Sequence, residues 1–531
     1  MNNKIFIGLS WPYANNELHI GHLGSSLPAD ILARYFRLKG HDVCFVSGSD
    51  CFGTPISIQA QKENTSPNEI SDYYHEKFEN IFKDLDFSFD NYSKTNTSYH
   101  IDFAKSFHKS LYNTRFVSKI NEKRLFCKSC NRYLPDRYVV GLCPTCGNQT
   151  KGDSCDKCGK ILEPEELIDP KCSLCNTSPV LKETYQYYLK LTLLEEKLKK
   201  YFENNKNTWS QNAINLTQRY FDEGLKDRAI SRNLDWGVPV PINSNEDKVI
   251  YNWGENVLGY ISACKDWCEK HNKNFEDWFK NRNARHIYIH AKDNIQFHSI
   301  IYPALLIANT ESYHTPDNIF AYEYVTYEGQ KISKSKGTCL TARALLDKYP
   351  LDYLRFYFAK NISDKKDLDF KERDFVQTIN GELINNWGNF VNRTLSFIKN
   401  KYNGIINHHQ ISSIIKDRIC STYIAVSNYL NSGKISNTIS EILALVNFSN
   451  KYFDETQPWK LVKTDKSACE SLIFDYLTLI TNIAILFLPI LTKSSKQVLN
   501  WLNIKDFKYE YTQPNDIQIK NIEPLFARIE I

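Results

Sequence analysis

The sequence predicts an α/β protein with an all-α domain behind it: a doubly wound parallel sheet, broken by a cysteine-rich insert, then a helical bundle. Three observations predict this. Strand-length apolar runs alternate with a helix-period segment near the N-terminus. The stretch from Cys127 to Cys175 loses its large apolar residues. From about Phe375 onward apolar residues recur at helical spacing, through Ile384, Trp387, Phe390, Val391 and Leu395. At 531 residues the chain is too long for one hydrophobic core, so several domains are expected.

The elements follow in order. Lys4 to Leu9 is an apolar run of strand length, closed by a Pro-containing turn from Trp11 to Asn16. A helical pattern starts near His22 and runs through Leu23, Leu27, Ile31, Leu32, Tyr35 and Leu38, stopping at Gly40. Val43–Val46 reads as a second buried strand. Strand–helix–strand at this spacing calls for a parallel sheet. Sheet-like pattern resumes at Val249–Trp253 and at His286–His290, so the insert interrupts one α/β domain. Long helices are expected over Ile439 to Phe453 and Leu472 to Leu491.

Hydrophobic residues at 42% and aromatics at 13% exclude a mostly disordered chain. No apolar run approaches the ~20 residues that cross a bilayer, even near Ile485–Pro489, and the N-terminus turns polar too early for a signal peptide. These readings place the protein in the cytoplasm, away from membranes. A net charge of +5 permits an RNA partner bound through local patches without demanding one. There are 15 cysteines and a single methionine, Met1.

Four C-x-x-C pairs occur in the insert: Cys127/Cys130, Cys143/Cys146, Cys155/Cys158 and Cys172/Cys175. Two residues between thiolates let one tight turn aim both sulfurs at a single ion, and two such knuckles complete a closed tetrahedral zinc site. Gly or Asn follows every pair (Asn131, Gly147, Gly159, Asn176), as such turns favour. Chain order suggests nesting, with Cys143, Cys146, Cys155 and Cys158 on one zinc and the outer four on a second. Sequential pairing is the competitor. Closed sites of this kind are structural.

Two further segments carry chemistry. Trp11-Pro-Tyr-Ala-Asn-Asn-Glu-Leu-His-Ile-Gly-His22 joins a strand to a helix, which puts His19 and His22 at a helix N-terminus suited to phosphate, with Gly21 allowing close backbone approach. Far downstream, Lys331-Ile-Ser-Lys-Ser-Lys-Gly-Thr338 is cationic and rich in donors, suited to closing over a polyphosphate. Either segment alone reads more simply as surface. Together they resemble the double signature of the class I aminoacyl-tRNA synthetases.

The resemblance narrows to the methionyl-tRNA synthetases and covers nearly the whole chain. It rests on the motifs above with G-S-D-x-x-G-T-P-I at 48–56, P-D-R-Y-V-x-G-x-C-P-x-C-G at 135–147, S-R-x-L-D-W-G-V-P-V-P at 231–241 and A-K-D-N-I-x-F-H at 291–298. It implies a Rossmann-type sheet split by the zinc-knuckle insert, then a helical domain that reads the CAU anticodon. The expected divisions are catalytic halves at 1–112 and 233–325, a connective insert at 113–232, a loop-and-linker region at 326–374 and the anticodon domain at 375–531. It further implies ATP-dependent attachment of methionine to elongator and initiator tRNA through methionyl-adenylate. His19, His22, Lys331 and Lys334 would act on ATP with Mg²⁺, and Gly21, Lys334 and Asp293 would line the nucleotide site. Trp11, Tyr13, Asp50, Trp253, Asn256, Tyr260, Phe297 and His298 would hold the amino acid, with Asp50 on its ammonium. Asn389, Arg393 and Trp459 match the anticodon-reading positions. The ligands implied are tRNA, ATP and methionine, not DNA, and a monomer is expected.

The amino-acid pocket departs from the family. Trp11 stands where Leu is usual, Gly254-Glu255-Asn256-Val257 replaces F-D-A-P or F-D-A-T, and Phe52 replaces His or Tyr. A buried Asn256 amide needs a partner, and a thioether is a poor one. One reading is a narrower, more polar pocket, hence a synthetase-like enzyme adenylating another amino acid for metabolism. The other is local repacking, in which Trp11 fills space opened by Gly254 and methionine still binds. A non-catalytic tRNA-binding protein is a third possibility, opposed by the intact histidines and lysines.

Overall fold

A computed structural model describes residues 4–152, 155, 157–158, 160, 162–242, 248–281, 283–332, 340–519 and 523–530. Its centre is a five-stranded parallel sheet in the order Asn318–Tyr322, Arg285–Ala291, Lys4–Leu9, Asp42–Ser49, Asn91–Lys94. The first strand lies in the middle, with Ile7 opposite Phe45 on one side and Ile287 on the other. Helix Ile20–Leu38 connects the first two strands and buries Leu23, Leu27, Ile31 and Leu32. The sheet is thus closed by strands from both sides of the insert, and the α/β architecture is borne out.

The expected strand at Val249–Trp253 is corrected. Only Val249–Ile250 pair as a strand, and a helical turn begins at Asn252. The β-branched residues end at Ile250, and Asn252 and Gly254 then favour a turn.

The insert is an antiparallel ribbon, Val117–Cys127 against Val180–Leu189, carrying the knuckles. The stretch is poor in large apolar residues. A small core exists, in which Leu125, Leu134, Tyr138, Val139, Leu162 and Leu167 pack around Cys127, Cys143, Cys155 and Cys172.

Beyond the sheet, helix Leu351–Asn361 leads to a bundle that includes Asn389–Tyr402, Ser413–Asn431, Ile435–Thr456 and Lys466–Phe487. The expectation that no segment could span a bilayer fails by length and composition for Lys466–Phe487, a 22-residue helix. Its apolar residues face neighbouring helices on nearly every side, and 83% of its most apolar window is buried. It is the central core helix of the bundle.

Sheet and bundle share one continuous hydrophobic core that runs from Leu23 and Ile31 through Phe356 and Trp387 to Phe487. A buried polar node sits within it. Arg355 donates to Asp30 Oδ2 at 2.6 Å, to the carbonyls of Ile490 at 2.7 Å and Pro489 at 2.9 Å, and to that of Leu85 at 3.1 Å. The helix that begins beside His19 is therefore tied through Asp30 to the end of the bundle's core helix.

Candidate functional site

The turn after the first strand sets two imidazoles. His19 caps helix Ile20–Leu38. Its Nδ1 accepts the Gly21 N–H at 3.1 Å, and its own N–H donates to His22 Nδ1 at 3.1 Å. With both Nδ1 atoms used as acceptors, the neutral rings carry their proton on Nε2. Burial and the neighbouring His19 push His22 well below the usual histidine range, more than its backbone bond from His19 raises it. The pair, with ring centroids 4.0 Å apart, thus offers two neutral N–H donors at a helix N-terminus. Gly21 is needed for space, since a Cβ there would lie 2.9 Å from the His19 ring. Gly21→Ala is expected to displace that ring, which a structure of the variant would show.

Both flanks of the lysine-rich loop reach this turn. The Ile20 N–H donates to the Leu340 carbonyl at 3.1 Å and the Ala342 N–H to the Leu18 carbonyl at 2.8 Å. On the other flank, Ile332 Cδ1 lies 3.6 Å from the position a Gly21 Cβ would take. The backbone of Lys331 pairs with Thr326 in an antiparallel ribbon. Lys334, with the rest of 333–339, lies outside the described residues.

Below the turn lies an acidic pocket. Tyr13 and Asp50 form a parallel bridge. The Asp50 carboxyl, 1% exposed, accepts from Asn252 Nδ2 at 2.8 Å and from the Phe52 N–H at 3.2 Å. Asn252 Nδ2 also donates to the Tyr13 hydroxyl at 3.2 Å. Asn252, Glu255 and Asn256 occupy i, i+3 and i+4 of a helical segment and share a face. Asn256 is buried beside Asp50, close enough to hold its carboxyl down, yet its Nδ2 lacks a hydrogen-bond partner.

Aromatic groups surround this pocket. Trp253 and Phe297 stack at 3.8 Å between ring centroids. Tyr260 donates its hydroxyl to His298 Nε2 at 2.8 Å, because His298 Nδ1–H is committed to the Asn294 carbonyl at 2.9 Å. Burial holds His298 down at about 4, so it stays neutral. Phe297 and His298 are turned inward by a π-helical turn, Phe297–Ile301. Trp11 is buried, and the residues that admit it are Gly48 and Gly259, where an added Cβ would come within 2.5 and 2.8 Å of the indole. Gly254 faces His108 instead, which corrects the expectation that it makes room for Trp11. Lys292, at the far edge, is bound to Glu323 and Asp367, and Asp293 follows it in the same short turn.

The cysteine sulfurs fall into the nested groups. Cys127 lies 3.4 Å from Cys175 and Cys130 3.9 Å from Cys172; Cys143 lies 3.8 Å from Cys158 and Cys146 3.5 Å from Cys155. Within each quartet all four sulfurs are within 4.8 Å of one another, close enough to coordinate one ion. Asn131, Gly147 and Asn176 take positive φ, as knuckle turns require, while Gly159 is outside the described residues.

In the bundle a cleft of about 600 Å³ is lined by Asn386, Asn389, Arg393, Asn447, Asn450 and Asp454, among others. Arg393 lies 4.2 Å over the Phe453 ring and donates to Asp454 at 2.8 Å and to the Asn450 carbonyl at 2.7 Å. Trp459, 42% exposed, stands on the following short helix, its ring centroid 6.0 Å from that of Phe453.

Sequence reading missed Asn252, Glu255 as an individual residue, and His100, which meets Glu255 in the core. The i, i+3, i+4 spacing of polar residues at 252, 255 and 256 was a usable signal, hidden by the strand reading.

The sheet, its insert and the converging imidazole and loop segments define a tRNA synthetase of class I. Residues 5–395 match the family model described as tRNA synthetases class I (M), and residues 409–524 that of the anticodon binding domain of methionyl tRNA ligase. The chain belongs to the methionyl-tRNA synthetase family. It is 41% identical over 529 residues to methionine–tRNA ligase 1 of Alkaliphilus oremlandii, covering 99% of this chain and 97% of that protein. It is 43% identical over 532 residues to methionine–tRNA ligase 1 of Bacillus cereus ATCC 10987, with the same coverage. Mycobacterium tuberculosis methionyl-tRNA synthetase, solved in complex with methionyl-adenylate, shares the fold: TM-score 0.83 and 20% identity, covering 99% of this chain and all of that one.

Proposed function

We propose that the protein attaches methionine to elongator and initiator tRNAs bearing a CAU anticodon, through methionyl-adenylate. The observation that carries this is the seating of both loop flanks, Ile332 and Leu340–Ala342, against the His19–Gly21 turn. The methionine carboxylate attacks the α-phosphate and pyrophosphate leaves; the terminal ribose hydroxyl of tRNA then takes the acyl group. His19 and His22 present Nε2–H to phosphate oxygens, and Lys331 and Lys334 neutralise the departing pyrophosphate. Asp50 holds the substrate ammonium. Tyr13, Trp253, Asn256, Tyr260, Phe297 and His298 shape the rest of that pocket, with Trp11 packed behind it. Asp293 faces the nucleotide, whose phosphates carry Mg²⁺.

The two cysteine quartets suit Zn²⁺, each as a structural ion. Cys172→Ser is expected to release one of two zinc equivalents per chain, measured by elemental analysis, and to leave the inner quartet loaded. Asn389, Arg393 and Trp459 read the anticodon: Arg393→Gln is expected to lower tRNA charging by about 10- to 100-fold and to leave ATP–pyrophosphate exchange unchanged. The enzyme works as a cytoplasmic monomer, without DNA or a membrane.

ATP–pyrophosphate exchange across the standard amino acids, then acylation of a CAU tRNA, tests the whole reading. Methionine alone should give signal. The unpartnered Asn256 amide favours a second reading, adenylation of a more polar amino acid, and exchange with such a substrate in place of methionine would establish it.

A further inference from the structure

Three cysteines outside the two quartets gather where the second strand, Asp42–Ser49, meets helix Gly259–Lys270. Cys44 and Cys264 are fully buried with their sulfurs 3.7 Å apart, and Cys268 follows one helical turn later at 1% exposure. Cys264 and Cys268 hydrogen-bond through their thiols. Burial first, then that bond, lifts Cys264 well above the usual thiol range. The same bond holds Cys268 down more than burial lifts it, and Lys273 and Lys4 add to the fall. The Lys273 N–H donates to the Cys268 carbonyl at 2.8 Å, and the Lys4 and Lys273 side chains are 27% and 32% exposed. A thiolate beside partly exposed lysines is the reactive kind of cysteine.

The same strand–helix interface backs the amino-acid pocket. Cys44 and Gly48, four residues apart on the strand, share one of its faces. The Trp11 indole is wedged between Gly48 and Gly259, where an added Cβ would come within 2.5 and 2.8 Å of it. Tyr260 meets Trp11 edge-on at 6.4 Å between ring centroids and lies one turn before Cys264. Sulfurs and indole belong to one packed cluster. A filled interface transmits compression instead of absorbing it.

We propose that Cys44 and Cys264 form a reversible disulfide, seeded by hydrogen peroxide at Cys268, that presses the helix onto Trp11 and narrows the amino-acid pocket. The Cys268 thiolate takes one peroxide oxygen, becomes a sulfenic acid and releases hydroxide. The Cys264 thiol displaces that oxygen as water and is joined to Cys268. The Cys44 thiol then displaces Cys268, which leaves with the proton and passes it to the hydroxide. In sum, two thiols and one peroxide give one disulfide and two waters, and Cys268 is regenerated. A thiol held down is the faster leaving group, which suits Cys268 to the relay. The bridging sulfurs close from 3.7 Å to about 2.05 Å.

The bridge rests on the thiols alone; its effect on activity rests on the amino-acid-activating reading. Full-length, zinc-loaded protein is treated with hydrogen peroxide, alkylated and mapped by mass spectrometry, while a chromogenic chelator records zinc release. A Cys44–Cys264 linked peptide is expected before zinc leaves the quartets. Cys268→Ser should slow its formation at least about tenfold, because a raised thiol holds that much less thiolate, without changing what forms. In ATP–pyrophosphate exchange the oxidised protein should show a methionine KM raised about tenfold, the scale of overpacking a filled core, and dithiothreitol should restore it. Cys44→Ala should keep wild-type exchange and lose the peroxide response. Absence of the linked peptide in wild-type protein overturns the proposal without any variant, as does a bridged protein whose KM is unchanged. Untreated protein that exchanges with another amino acid removes methionine and leaves the bridge standing, and KM is then read with that amino acid.

Discussion

His19→Ala and His22→Ala are each expected to slow adenylate formation by about 10²- to 10³-fold, with KM for the amino acid little changed. The basis is the interlocked pair: each Nδ1 accepts a backbone N–H, so each neutral ring carries its proton on Nε2. Alanine at 19 also removes the helix cap, worth about 1 kcal/mol, so a loss of rate could be confused with a loss of structure. His19→Asn separates the two, because an asparagine side chain caps well but lacks the Nε2–H reach. Its melting temperature should stay near wild type while exchange remains slow. An Asn variant with full exchange activity would show that capping is all His19 does.

The largest stability effect is expected at Arg355. Arg355→Met should destabilise the fold by about 3–5 kcal/mol, read by denaturant titration, because Asp30 would stay buried with only Arg34 as a cationic partner. Burial pushes Asp30 up, but Arg355 and then Arg34 outweigh it and leave its carboxyl below the usual value. A carboxyl depressed in the folded state adds stability above the unfolded-state value of about 4 and loses it as pH falls further. The variant should therefore lose most at neutral pH and show a shallower acid transition than wild type. Because Arg355 also binds the Pro489 and Ile490 carbonyls, the variant should loosen the bundle against the first helix.

What was legible in the sequence is what local chemistry encodes. The His19–Gly21–His22 turn, the knuckle spacings and the helix periods involve residues a few positions apart, and the structure keeps them within those few positions. The acidic pocket was only half legible. Asp50 stood in a recognisable motif, but His100 and Glu255 are 155 residues apart and nothing in either neighbourhood announces the other. Trp11 shows the same limit. Its bulk signalled a changed pocket, yet the glycines that admit it sit on different elements, Gly48 at the end of the second strand and Gly259 at the start of a helix. The core helix Lys466–Phe487 was read correctly as part of a bundle, although its composition alone does not separate a packed interior from a lipid environment.

The enclosure of one cysteine quartet by the other imposes an order on biogenesis. As the nascent chain leaves the ribosome, the inner set is complete once Cys158 emerges, whereas the outer set waits for Cys172 and Cys175. Metal capture should proceed from the tip of the ribbon toward its root, and Cys127 and Cys130 stay exposed to oxidants until the last knuckle arrives.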